Sequence, residues 1–416
     1  MVAPDMTIAP LSVAPFAPLE LSLEDRLEID LQLVLGHRQR IDPERLKRAV
    51  GAGLESFPHL AGRLEHGDRN WRIVPARGEV QLERVEDGGR FAMADLEAMP
   101  AQELAERFLP GKSVPDDGDR GLFRLRWTRC GGGDVLGLRV SHAAVDGAGL
   151  GWFARCCAAG ARGIPPPHVS HDRHGILTTA ADGLAETPAG YREIAARPAG
   201  WQWPPDPWVK EMPQYFMVPA GTARKVTGMN GSLLETRLAL SAWLCGRLSE
   251  IAPSLSMVAV WCDPRGGGLV PRHFTGNAGC YHTLPLRGKP LPEVMADLKQ
   301  LAGRAGLRRT AELHRSIKSA EADGRMVVWD GPRNDLLQLN LLPRAVESGP
   351  GGPPDFSRLL SRNSSGLRVS VMPGGSGFLI EASLATGCAM ALVEEAHRHG
   401  LAPVVRNPGE DPKNLG

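Results

Sequence analysis

The stretch of residues 123–142 constrains the fold more than any other part of the chain, because its pattern predicts a β-hairpin. Apolar residues at 123, 125 and 127 alternate with polar residues at 124, 126 and 128, which is the period of a half-buried strand. Residues 130–134 supply the turn, with three consecutive glycines. The return strand places three apolar side chains on the same face as His142: Leu136, Leu138 and Val140. The pattern therefore predicts an imidazole at the end of a rigid strand.

The chain must turn directly after His142, and Gly147 and Gly149 allow a tight turn with close backbone approach. The apolar residues 150–159 then predict a helix. A neutral histidine with a pKa near ~6.5 can take a proton from a hydroxyl or an amine. Asp146 is expected to fix the loop, either by reaching the imidazole or by pairing with a distant cation. The alternative is a structural histidine beside an Asp-Gly turn, but the ordered hairpin and the glycine-rich turn favour a general base.

Composition excludes several function classes. A formal net charge of +1 gives no argument for a nucleic-acid or anionic-membrane partner. No apolar run approaches the roughly 20 residues that cross a bilayer, and residues 1–18 lack the pattern of a secretory signal. The seven cysteines are scattered, without a CxxC pair, which is typical of a reducing compartment. These features predict a globular protein of the cytoplasm.

Three segments, in the same order along the chain, resemble the BAHD acyltransferases. Residues 141–147, SHAAVDG, are similar to the HxxxDG motif of that family. Residues 57–64 are similar to its PLAGRL segment, and residues 261–265 with 274–277 are similar to its DxR and GN segments. Condensation domains and wax-ester-type acyltransferases share the HxxxDG motif but usually carry a second histidine where this chain has Ser141. The pattern is therefore closer to the BAHD group.

This resemblance implies an α+β fold. It consists of two chloramphenicol acetyltransferase-like domains, each a mixed β-sheet with flanking helices, with an active-site channel between them. We predict an N-terminal domain carrying HxxxDG at residues 1–163, a crossover linker at 164–227 and a C-terminal domain at 228–416. The proline- and tryptophan-rich composition of the middle stretch favours a linker, and strand-rich halves with long helices fit two sandwich-like domains.

The resemblance also assigns roles within the site. It implies that Arg265 pairs with Asp146, so that this aspartate is structural rather than a proton carrier; a buried carboxylate needs such a partner. Asn340 matches the position of a Thr, Ser or Asn in the family and is the candidate donor to a tetrahedral oxyanion. The alternative for Asn340 is a strand-end asparagine bonded to its own backbone. The predicted catalytic residues are His142, Asp146 and Asn340, with Gly147 and Arg265 as structural support.

One departure from the family concerns the acyl donor. BAHD enzymes usually carry a DFGWG motif that supports the side of the active site where coenzyme A binds. Residues 344–356 of this chain do not contain that motif. The donor is therefore predicted to be a thioester of either coenzyme A or an acyl carrier protein, with no tightly bound cofactor. The equally spaced His168, His171 and His174 lack cysteine or carboxylate partners, so no metal site is predicted.

The function predicted from the resemblance is acyl transfer from a thioester to a hydroxyl or amine of a small, specialised-metabolite acceptor. Two alternatives remain open. The same fold can catalyse a condensation, cyclisation or isomerisation, or it can belong to a silent relative that binds a carrier domain. The intact HxxxDG sequence argues against the silent relative, because a scaffold needs no oriented base. The family resemblance implies a monomer.

Overall fold

The computed structural model describes most of the chain. The described residues are 7–11, 15–21, 25, 30–66, 71–76, 80–87, 95–96, 99, 101–111, 122–173, 191–195, 214–265, 270–286, 289–301, 304–329, 336–342, 349–360, 366–372, 375–384 and 386–401. Much of the predicted linker, at 174–190 and 196–213, and with it His174, lies outside these ranges.

The described chain contains 17 strands. They are β1 (Thr7–Leu11), β2 (Leu19–Glu20), β3 (Asp30–His37), β4 (Gly62–His66), β5 (Trp71–Pro75), β6 (Val80–Glu86), β7 (Phe123–Cys130), β8 (Gly133–Ser141), β9 (Tyr191–Ala195), β10 (Gln214–Pro219), β11 (Met257–Cys262), β12 (Cys280–Pro285), β13 (Arg325–Trp329), β14 (Leu336–Leu342), β15 (Phe356–Leu360), β16 (Gly366–Val371) and β17 (Gly377–Ser383).

Eight α-helices and one 3-10 turn, Pro58–Ala61, accompany these strands in the described residues. The helices are α1 (Pro43–Ser56), α2 (Ala101–Phe108), α3 (Gly147–Ala161), α4 (Ala220–Thr227), α5 (Leu233–Ile251), α6 (Leu291–Leu301), α7 (Arg304–Ala322) and α8 (Thr386–Arg398). None of these helices combines the length and the apolar character that a membrane crossing requires.

The chain divides into two compact units that are discontinuous in sequence. The first unit comprises Met1–Ile176, Val270–Ala278 and Ala345–Ser361, and the second comprises Leu177–Leu269, Gly279–Arg344 and Arg362–Gly416. Two short segments from the later part of the chain thus pack with the N-terminal part. The predicted continuous ranges, 1–163 and 228–416, contain no such exchange.

The first unit is built on a six-stranded mixed sheet, in the order β1-β6-β7-β8-β3-β15. β6 and β7 run parallel, and the other neighbours are antiparallel. All residues of β8 are buried, because helices contact the sheet on both sides. α1 and α3 pack together over one face. α2 approaches so closely on the other that a Cβ on Gly137 would lie 1.8 Å from the carbonyl oxygen of Phe108.

The second unit has a six-stranded mixed sheet of its own, in the order β10-β17-β16-β14-β11-β12. The central strand β14 runs parallel to both β11 and β16. Residues 232–235 have the S-x-x-E pattern that predicts a capping box. α5 begins with this capping box, in which Ser232 and Glu235 satisfy each other's backbone N–H groups. The fully buried Leu240 and Leu244 of α5 join a large apolar core with the sheet. The predicted fold class is therefore confirmed, with two sheet-rich units and flanking helices.

Helices α6 and α7 follow each other closely in sequence, since α6 ends at Leu301 and α7 begins at Arg304. Strand β3 pairs with β8 along its whole length, from Asp30 to His37.

Candidate active site

His142 lies in a tight turn directly after β8, as the hairpin pattern predicts. The amide groups of Ala144 and Val145 donate to the carbonyl oxygen of Ser141, at 3.0 and 3.4 Å, and close the turn. The residues on both sides of His142 are buried, whereas His142 itself is partly exposed. The turn therefore holds a partly exposed histidine between buried neighbours.

Asp146 ends the turn and begins α3. It is 3% exposed, and its Oδ1 accepts a hydrogen bond of 2.8 Å from the Gly149 amide, as an N-cap does. The predicted close backbone approach occurs at Gly149, where a Cβ would lie 2.2 Å from the Thr275 carbonyl oxygen. At Gly147 a Cβ would meet no atom within 4 Å. The close backbone approach at this helix start is therefore at Gly149, and the supporting role of Gly147 remains a prediction.

A buried polar cluster supports the turn, and we call Asp25, Arg173 and Asn277 the brace. Asn277 donates from its side chain to Asp25 Oδ1 at 2.9 Å and to the His142 carbonyl oxygen at 2.8 Å. Its backbone amide also donates to Asp25 Oδ1, at 2.9 Å. Arg173 forms an ion pair with Asp25 and donates to the Ala144 carbonyl oxygen at 2.5 Å. The brace therefore holds two carbonyl groups of the turn.

Two histidines lie beside the brace. The rings of His59 and His171 meet edge to face, with their centroids 4.6 Å apart. One nitrogen of His171 lies 2.7 Å from the Thr275 hydroxyl, and the other lies 2.7 Å from the Ser56 carbonyl oxygen. Both ring nitrogens of His171 are therefore engaged by the protein, and this histidine ties α1 to the segment that carries Asn277.

Burial keeps these histidines neutral near pH 7. It lowers the pKa of His142 below the ordinary value of 6.5, while the charge of Asp146, the backbone of His142 and the charge of Asp25 oppose the shift. Burial also lowers the pKa of His59 to well below 6.5, with a further contribution from His171. A neutral His142 carries a lone pair on a ring nitrogen, which is the protonation state that a general base needs.

The His171 ring is expected to make the fold sensitive to acid. Burial lowers its pKa from 6.5 to about 4 in the folded protein. Between these two pH values the unfolded chain binds more protons than the folded chain, so the free energy of unfolding falls as the pH falls. The loss amounts to up to about 3 kcal/mol. Denaturant unfolding at a series of pH values from 7 to 4 measures this slope.

The matched variants for this measurement are His171→Gln and His168→Gln. The first removes the partly buried ring and should reduce the slope of the free energy of unfolding against pH, to which other buried histidines such as His282 also contribute. The second removes an exposed histidine and should leave most of the slope in place. Equal slopes in His171→Gln and the unmodified protein would contradict the assignment of this acid sensitivity to His171.

The other predicted site residues lie in the second unit. Asn340 is on β14, where the Tyr281 hydroxyl donates to its Oδ1 at 3.3 Å and reaches Gln338 Oε1 at 3.4 Å. Asn340 also lines a narrow cleft together with four other polar or charged residues: Gln338, Arg368, Glu381 and Ser383. Arg265 follows β11 and contacts Asp263 at 3.0 Å. The pairing of Arg265 with Asp146, and the joint action of Asn340 and His142, remain predictions.

The brace was not predicted from the sequence. Asn277 lies in the segment 274–277 that resembles the GN motif of the family, which is the signal in the sequence that points to it. Asn277 and Asp25 are 252 positions apart, and Arg173 lies within the predicted linker at 164–227. Neither periodicity nor spacing connects such distant residues, so their association becomes visible only in the structure.

Sequence comparisons relate this chain to plant acyltransferases. Residues 6–197 match the family model described as the Transferase family. Putrescine hydroxycinnamoyltransferase 2 of Oryza sativa subsp. japonica is 29% identical over 140 residues, which are 31% of this chain and 44% of that protein. Alcohol acyl transferase 1 allele RGb of Malus domestica is 30% identical over 138 residues, 32% of this chain and 30% of that protein. The chain thus spans less than half the length of these relatives.

Solved structures share the fold over nearly the whole chain. F. graminearum TRI101, complexed with coenzyme A and T-2 mycotoxin, has a TM-score of 0.74 at 14% identity, covering 94% of this chain and 100% of that one. Vinorine synthase has a TM-score of 0.70 at 14% identity, with 96% and 98% covered. The first condensation domain of the calcium-dependent antibiotic synthetase scores 0.58 at 16% identity, with 94% and 100% covered. Together with the sequence comparisons, these structures confirm the predicted resemblance to BAHD-type acyltransferases.

Proposed function

We propose that this chain, a relative of the BAHD-type acyltransferases, moves an acyl group from a thioester to a hydroxyl or amine of a small molecule. The proposal rests on His142. This residue is partly exposed, its carbonyl oxygen is held by Asn277, and the pKa of its ring is lowered. A base for this reaction must be neutral at the working pH and must be held in one orientation. The lowered pKa supports the first requirement, and the hydrogen bond from Asn277 to the His142 carbonyl oxygen, which fixes the backbone that carries the ring, supports the second.

The proposed reaction has two steps. The neutral His142 ring takes the proton of the acceptor hydroxyl or amine while the acceptor oxygen or nitrogen attacks the thioester carbonyl carbon. Asn340 donates a hydrogen bond from its side-chain NH2 to the resulting oxyanion, because the Tyr281 hydroxyl occupies its Oδ1. The carbon–sulfur bond then breaks, and the leaving thiolate takes the proton from the imidazolium. The proposed base lies in the first unit and the proposed oxyanion donor lies in the second unit.

Coenzyme A is the proposed acyl carrier. The coenzyme A complex of TRI101, which shares the fold, supports this choice. The absence of DFGWG from residues 344–356 favours a second candidate, an acyl carrier protein thioester, and the condensation-domain neighbour is compatible with it. Both candidates require the same base and the same oxyanion donor. The proposed enzyme acts as a monomer in the cytoplasm and needs no tightly bound cofactor.

A donor and acceptor panel tests the proposal. The purified chain is incubated with short-chain, long-chain and aromatic acyl-CoA esters, each with a set of small alcohols and amines, and in parallel with acyl-loaded carrier protein. We expect thiol release that depends on the acceptor, and a product whose mass equals the acceptor plus the acyl group. The His142→Ala protein is the control. A product formed without gain of an acyl group would instead favour a cyclisation or isomerisation.

A further inference from the structure

The side chain of Asn277 holds the backbone of the proposed base directly. Its NH2 group has two hydrogens, and both are used: one bonds to Asp25 Oδ1 at 2.9 Å and the other to the His142 carbonyl oxygen at 2.8 Å. The partner Asp25 is itself held by the Arg173 guanidinium. The position of the His142 backbone is therefore linked through one carboxamide to an ion pair elsewhere in the first unit.

The brace is withdrawn from water. Asp25 is 0% exposed, and Arg173 and Asn277 are each 2% exposed. A buried ion pair contributes little net stability, because the cost of removing two charges from water offsets their attraction. What such a pair provides is a defined geometry, since every displaced hydrogen bond would leave an unsatisfied buried group. The burial of these residues is thus better explained by the placement of the turn than by stabilisation of the fold.

We propose that Asn277 is a positioning residue for His142, with Asp25 and Arg173 as its support. The inference rests on the proposed function, in which His142 is the base. Asn277 touches neither acceptor nor thioester in this role. It acts through the His142 carbonyl group, while Arg173 holds the Ala144 carbonyl two residues later. A shift of the ring by about 1 Å suffices to lower a rate 100-fold, and loss of the Asn277 bond frees the turn for such a shift.

The test compares Asn277→Ala with the matched control Asp134→Asn. Asp134 is also 0% exposed, and it accepts from the Ile41 amide at 2.6 Å and from Arg40 at 2.7 Å. It lies at the opposite end of β8 from His142. Both substitutions disrupt a buried polar cluster of the same unit, so a purely structural role predicts similar consequences for the two variants.

We expect kcat of Asn277→Ala to fall roughly 100-fold, with KM for both substrates within about threefold of the original value. Asp134→Asn should keep kcat within about threefold, once both values are corrected for the folded fraction. The imidazole NMR signal of His142 is identified as the one missing from the spectrum of His142→Ala. Its chemical shift should change in Asn277→Ala and should be unchanged in Asp134→Asn. An unchanged kcat and an unmoved signal in folded Asn277→Ala would overturn the proposal.

A second variant keeps the test informative if Asn277→Ala does not fold. Arg173→Lys retains the positive charge beside Asp25 but lacks the second nitrogen that holds the Ala144 carbonyl group. We expect the kcat of Arg173→Lys to be about 10-fold lower, with KM unchanged. A kcat equal to that of the original protein would contradict the proposed role of the brace. His142→Ala separates the two hypotheses: full activity in that variant removes the proposed base, whereas a dead His142→Ala beside a fully active Asn277→Ala removes only the positioning role.

Discussion

The His142→Ala variant is expected to lose at least about 100-fold in acyl transfer, the usual loss when an acid–base group is removed. Without the imidazole, the acceptor's proton has no recipient during attack, and the leaving thiolate has no proton donor. The fold should remain, because the turn is held by backbone and brace contacts that do not use the ring. The measurement is kcat/KM with the best donor and acceptor pair, together with the thermal unfolding midpoint.

His168→Ala is the matched control for this variant. His168 lies in the same unit but is exposed and outside the turn, so its loss should leave kcat/KM unchanged. We expect the unfolding midpoints of both variants to stay within about 4 °C of the original protein. Near-normal turnover in His142→Ala would remove His142 from the mechanism, whatever the identity of the substrates.

The second large effect is expected at Asn340. Asn340→Asp has the same shape but replaces the NH2 donor with an anionic oxygen, which would repel the proposed oxyanion. We expect kcat to fall by about 100- to 1000-fold, the range seen when one oxyanion donor is lost. Asn340→Thr keeps a hydroxyl donor and should retain more of the rate than Asn340→Asp. The measurement is kcat for both variants at saturating donor and acceptor.

Gln338→Ala is the control for Asn340. Gln338 lies two residues earlier on the same face of β14 and shares the Tyr281 hydroxyl, but it has no assigned role in the reaction. A comparable loss in Gln338→Ala and Asn340→Asp would indicate a general disturbance of the strand. Equal rates for Asn340→Asp and Asn340→Thr would mean that donation by this side chain does not matter to the chemistry.

The hairpin and the helix starts could be predicted because their signals are local. Alternation along β7 and β8 is visible within eight or nine residues, and the capping box of α5 needs only Ser232 and Glu235. The position of His142 at the strand end follows from the same short pattern. These elements are specified by neighbours in sequence, which is why residue types alone were sufficient to place them.

The surroundings of His142 could not be predicted, because they depend on distant pairs. Asn277 lies in the segment that resembles the GN motif of the family, but nothing near it in sequence identifies Asp25 or the His142 carbonyl group as its partners. The discontinuous units have the same origin, since β15 joins β3 from more than 300 positions away. The packing of the complete chain determines topology of this kind, and the hydrophobic periodicity of the sequence does not predict it.

The exchange of segments between the units has a consequence for synthesis on the ribosome. Residues 1–176 contain His142, Asp25 and Arg173, but Val270–Ala278 and the segment with β15 emerge much later. The ribosome therefore adds some 130 residues after the histidine turn before Asn277 exists to form its hydrogen bond with the turn. A fragment that stops at residue 176 should lack both the edge strand and the brace, so the histidine turn matures only when most of the polypeptide has been made.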